Sequence, residues 1–128
     1  MMNKPAITTV LKLNATTSMA AGILLVLGGQ WLAPWFGELS ALVYQIVGAG
    51  LCVFAALVWF VQRHLPGSRA WIGMIFILDL AWLIATPIVM ALFYDSISLL
   101  LHALLAITFV IVGLYAYCEY KAIHSLGA

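Results

Sequence analysis

The stretch AWIGMIFILDLAWLIATPIVMALF (residues 70–93) decides how this chain is read. It holds one charged residue, Asp79, in an otherwise apolar run. A helix rises about 1.5 Å per residue, so about 20 apolar residues cross the hydrocarbon core of a bilayer. The run is long enough to span, and Arg69 and Asp95 flank it. Outward from there the same beat repeats. Charges fall at Lys12, Glu38, Arg63 with Arg69, Asp95, and Glu119 with Lys121. The apolar stretches between them predict membrane helices over residues 13–33, 39–62, 70–93 and 97–118.

Composition agrees. The chain has 128 residues, is 66% hydrophobic and 7% charged, and has a mean hydropathy of +1.18. No soluble domain is expected at those values. Four spans use nearly all of residues 1–128, which predicts one transmembrane domain and no soluble catalytic module. The first apolar stretch is too long for a cleavable signal. A net charge of +1 argues against a nucleic-acid partner. The expected partners are membrane lipids and other membrane helices.

The expected connections are short: Pro34 and Gly37, then Pro66-Gly67-Ser68, then Asp95-Ser96. They predict an all-α, antiparallel up-down four-helix bundle. Lys4, Lys12, Arg63, Arg69 and Lys121 all fall on one side, which by the positive-inside rule places both termini in the cytoplasm. Trp31, Trp35, Phe36, Phe93 and Tyr94 are expected at the outer interface. Trp59, Phe60, Trp71, Tyr115, Tyr117 and Tyr120 are expected at the inner one.

Inside the hydrocarbon each polar side chain needs a partner. Counting along the helix puts Asp79 about 14 Å from the cytoplasmic edge, level with Ser18, Cys52 and Thr108. A second level, about 24 Å in, holds Gln45, Thr86 and His102. Asn14 and Thr17 come lower on the first helix. Helical spacing sets Asp79, Trp82 and Thr86 on one stripe, and Asn14, Thr17, Ser18, Ala21 and Gly22 on another. Gln45, Gly48, Cys52 and Ala56 form a third. Thr108 points away from the main face of its helix and is expected to bond back to it.

Asp79 is the leading candidate. A charge at a helix centre costs ~3 kcal/mol on insertion scales, so keeping one implies a proton, a partner or water. No Lys or Arg lies at that depth. The carboxyl group is therefore expected to be protonated, or bonded to hydroxyls and the Trp82 indole. His102 is expected to bond Gln45 or Thr86, or to serve Asp79 in a proton path. As a haem ligand it lacks a second intramembrane histidine within the chain, because His64 and His124 sit at the edge, and a symmetric dimer would have to supply one. His64, Cys118, Glu119 and His124 lack compact metal-ligand spacing. No metal, no cofactor and no catalytic residue is expected, since no nucleophile–base pair is present.

Leu11-Lys12-Leu13-Asn14-Ala15 with Ser18 and Gly22, and Asp79-Leu80-Ala81-Trp82, resemble a group of small bacterial four-span inner-membrane proteins. The resemblance implies a bacterial inner membrane and points again at Asn14, Asp79 and Trp82. It implies no activity. From the residues, the first expectation is a structural or accessory subunit, as a homo-oligomer or in a larger complex. The alternatives are an oligomeric transporter or ion or proton pathway through Asp79, and a haem- or quinone-binding anchor through His102.

Overall fold

The computed structural model describes residues 4–126, and side chains over 6–125. The side chain of Lys4, one of the cations used for orientation, lies outside the described residues. The described chain is helical: α1 (Lys4–Phe36), α2 (Ala41–His64), α3 (Arg69–Leu92) and α4 (Leu99–Leu126). Each is long and apolar enough to cross a membrane, with hydropathies of 1.6, 2.2, 2.3 and 2.4 along the chain.

Helices α2 and α3 keep close to their expected limits, because turns bound them at both ends. The Leu65 N–H closes α2 on the Val61 carbonyl at 2.8 Å, and the Ser68 hydroxyl caps α3 by accepting from the Trp71 N–H at 3.3 Å. Helices α1 and α4 overrun the apolar stretches, α1 starting at Lys4 and α4 running on to Leu126. Nothing in those segments breaks a helix, and polarity alone does not. Pro34 was expected in the first connection but lies within α1, near its end. It frees only the Gln30 carbonyl. Gly37 ends the helix, with φ +130 and its N–H on the Ala33 carbonyl at 3.2 Å. A side chain there would strain the backbone and strike Ile97 Cα, 2.7 Å from where its Cβ would stand.

That contact belongs to a short antiparallel bridge between Gly37 and Ile97. The Glu38 N–H donates to the Ser96 carbonyl (2.8 Å) and the Ser98 N–H to the Phe36 carbonyl (2.7 Å). The α1–α2 and α3–α4 connections are thereby tied together. Ser98 also caps α4, accepting from the Leu101 N–H at 3.2 Å.

Helix α1 packs along α2, α3 packs along α4, and α1 also meets α4; α2 barely touches α3. The α1–α2 seam is a backbone contact. A Cβ at Gly22 would lie 2.7 Å from both the Gly48 carbonyl and Cys52 Sγ. At one end all four helices close on Ile7, Leu11, Ala15, Val58, Val61, Ile72, Ile75 and Ala122. Near the bridge a smaller cluster joins Ala33, Phe36 and Tyr44. Phe36 was expected as an interface anchor; it is buried instead, its ring edge-on to Tyr44 at 5.3 Å. Trp31, Trp35 and Tyr94 are exposed, as anchoring side chains are.

Candidate functional site

Just above the four-helix cluster, Asn14 of α1 reaches across to two carboxyl groups. Its Nδ2 donates to Asp79 Oδ2 of α3 at 3.0 Å and to Glu119 Oε2 of α4 at 3.2 Å. The two carboxyls also lie within hydrogen-bonding reach of each other. All three side chains are out of solvent: Asn14 is 1% exposed, Asp79 3% and Glu119 0%. Ser18 Oγ, one turn further along α1, donates to the Asn14 carbonyl oxygen Oδ1 at 3.3 Å and fixes the amide's orientation.

The chain places these groups by simple means. Asn14 lies between Leu11 and Ala15 on the buried face of α1. Asp79 follows Ile72 and Ile75 on the buried face of α3. Glu119 lies between Ala116 and Ala122 on α4, where small side chains let the helix come close. Among the described residues no Lys, Arg or His is buried, so no countercharge accompanies the pair.

Glu119 corrects the sequence reading, which set it at the cytoplasmic edge and left Asp79 as the lone acid inside. Because α1 and α4 continue past the apolar stretches, Asn14 and Glu119 fall level with Asp79. Its own helix carried a signal: Ala116, Glu119 and Ala122 recur every three residues, a small-residue stripe interrupted by one acid. The Trp82 indole was expected as a partner to Asp79, but Asn14 bonds Asp79, and Trp82 Nε1 is buried without a partner. Glu119 Oε1 is buried without a hydrogen bond as well.

The second expected level does not assemble into a bonded group. His102 Nε2 pairs with the Tyr94 carbonyl at 3.1 Å rather than with Gln45 or Thr86. The Thr86 hydroxyl donates back to the Trp82 carbonyl at 2.7 Å. The Gln45 stem packs over Gly29, where an added Cβ would stand 2.9 Å from its Cγ. Thr108 bonds back to Leu104 at 2.8 Å. Cys52 and Cys118 are both free. Among the described residues no cluster of His, Cys, Asp and Glu is set to hold a metal ion.

Above the carboxyl pair lies a cavity of about 450 Å³, walled by all four helices. Asp79 and Asn14 form its polar floor. Phe54 of α2, Trp82 of α3 and Tyr115 of α4 supply aromatic walls. Tyr115, expected at the inner interface, faces this cavity, its hydroxyl 3.2 Å from Thr17 Oγ1. The rest is aliphatic side chains, including Val47, Leu51, Leu78 and Ile111, together with Thr17, Ser18 and Thr108. Since the α2 backbone comes close to α3 at very few residues and to α4 at none among the described residues, the wall is loosest along α2.

Comparison of the chain with protein-family models, curated proteins and solved structures finds no match. What it is must be argued from the site.

Proposed function

We propose that the protein is a small proton or ion pathway of a bacterial inner membrane. It is an antiparallel up-down bundle with both termini in the cytoplasm, and it works as a homo-oligomer. The observation that carries this is one amide bonded to two buried carboxyls from different helices, with no buried cation beside them among the described residues. Adjacent carboxylates repel, and in apolar surroundings neither is hydrated. Such a pair is complete only with a proton or a cation. A group that must hold a proton, with a cavity on one side of it, is the essential part of an intramembrane relay. The topology is supported by the short connections and by the tie between the first and third of them. The orientation rests on the basic residues, all at the other end of the helices. Oligomerisation is supported by size, since four helices are few for a transport cycle.

The same bonds also join α1, α3 and α4, which favours a second reading: an accessory subunit whose acids only hold helices together. One experiment separates the two. The full chain is reconstituted in vesicles holding a pH-sensitive dye, and a membrane potential is imposed. The pathway predicts proton entry above that of empty vesicles. Asp79→Asn or Glu119→Gln should return it to the empty-vesicle rate with the oligomer's native mass unchanged. Wild-type vesicles as tight as empty ones would overturn the pathway. An amide variant that loses its assembly, with no flux to lose, would make the protein a subunit.

A further inference from the structure

We infer that the cavity above Asp79 is a binding site for a lipophilic organic cation, an alkyl- or arylammonium-type molecule drawn from the bilayer. The inference deepens the relay reading, because the cation would occupy the carboxyl site that otherwise holds a proton.

Size comes first. About 450 Å³ falls within the range of small-molecule pockets, which is about 300–1,000 Å³. Chemistry then narrows the class. Most of the wall is apolar, aliphatic and aromatic together, so the bulk of a ligand there is apolar. Asp79 lines the floor and, of the two buried acids, is the one that faces the cavity. Three aromatic side chains from three helices, Phe54, Trp82 and Tyr115, line the same space. Aromatic faces attract a desolvated cation through the ring quadrupole, and rings grouped around one space are how quaternary ammonium groups are held. An anion would meet an acidic floor and the negative faces of the rings. A neutral apolar molecule would leave the carboxyl group unmatched.

Access is through the loosest wall, along α2. Gly50 lies on that wall, and a Cβ added to it would meet nothing within 4 Å. A ligand already dissolved in lipid could enter there without crossing water.

Exchange balances simply. A proton held by the Asp79–Glu119 pair leaves as the cation arrives: the carboxyl O–H bond breaks, the proton passes to water or buffer base outside the site, and net charge in the site is unchanged. The groups facing Asp79 are few. Asn14 and Ser18 come from α1, neither of them titratable. Glu119 and Tyr115 come from α4, with Cys118 beside Glu119. Helix α2 contributes no ionisable group to the cavity.

The test is calorimetric titration of the full chain in neutral detergent with tetraphenylphosphonium, against its anion of the same shape, tetraphenylborate. The cation is expected to bind at least about tenfold more tightly than the anion. Repeating it in buffers of different ionisation enthalpy should reveal proton release. Asp79→Asn should weaken the cation by about tenfold or more and leave the anion unchanged. Gly50→Phe, which fills the cavity from its open wall, should abolish cation binding while the helical spectrum and melting midpoint hold. Equal binding of the two ions, or cation binding indifferent to both substitutions, would overturn the inference. Proton flux without cation binding would sink this site and leave the relay standing. Cation binding without flux would do the reverse.

Discussion

The two sides of α2 are built on opposite terms. On one side Gly48 lies against α1, where an added Cβ would stand 2.7 Å from both the Gly22 carbonyl and Leu25 Cβ. Two residues later Gly50 faces the cavity, and a Cβ there would meet nothing within 4 Å. The same residue type serves close packing in one place and open space in the other. In lipid no hydrophobic force draws helices together, so affinity between them comes from close packing and polar bonds. The α1–α2 seam has the first, and the Asn14 cluster supplies the second. Beyond the closed end, where Val58 and Val61 meet Ile72 and Ile75, the α2–α3 side has neither, and there the bundle is open.

The sharpest way to break this contrast is at Gly48. Gly48→Leu puts a side chain where backbone stands, and should destabilise the α1–α2 pair by about 3 kcal/mol, the upper end for overpacking. Loss of folded protein in a denaturing-detergent titration followed by helical ellipticity would register it. A Gly48→Leu variant as stable as the parent would mean the seam is not a packed contact.

Next comes the polar tie. Asn14→Leu strands two buried carboxyl groups without their shared donor, and should cost about 2 kcal/mol in the same titration. Replacing Asn14, Asp79 and Glu119 together by Leu should recover most of that, because removing every member of a buried polar group is far cheaper than removing one. If the triple variant were worse than the single, packing around the cluster and not its bonding would be the source of stability.

Smaller still is the closed end. Ile75→Ala removes packed atoms among four helices, and should cost about 1–2 kcal/mol, less than in a soluble core because lipid solvates the unfolded side chain equally well. Smallest is the open side. Leu51→Ala and Gly50→Ala should each change stability by less than about 0.5 kcal/mol, since neither fills nor empties a tight contact. A large loss in Leu51→Ala would show that the cavity is closed in the folded protein.

Much of the fold was legible beforehand for a reason specific to membranes. Lipid admits only segments whose backbone bonds are satisfied internally, so long apolar runs bounded by charges and turns mark helices with little ambiguity. Helices α2 and α3 follow that rule closely, having turn residues at both ends. The rule fails where a helix runs on into polar sequence. Glu119 looked like an edge charge because depth was counted from the last apolar residue, whereas α4 carries it inside against Asn14 and Asp79. His102 failed the other way: polar and well inside an apolar stretch, it pairs with a local carbonyl and joins no cluster.

From its letters alone the chain could declare four membrane-length helices, an acid held inside them, and an amide and a hydroxyl face on the first helix, because hydropathy and helical period are local properties. Which acid faces which amide was settled only in three dimensions. It depends on how far α1 and α4 continue and how they slide against α3, and those are set by close contacts between residues distant in sequence. The same is true of the cavity. A gap is a property of the spacing between helices, and no single helix encodes it.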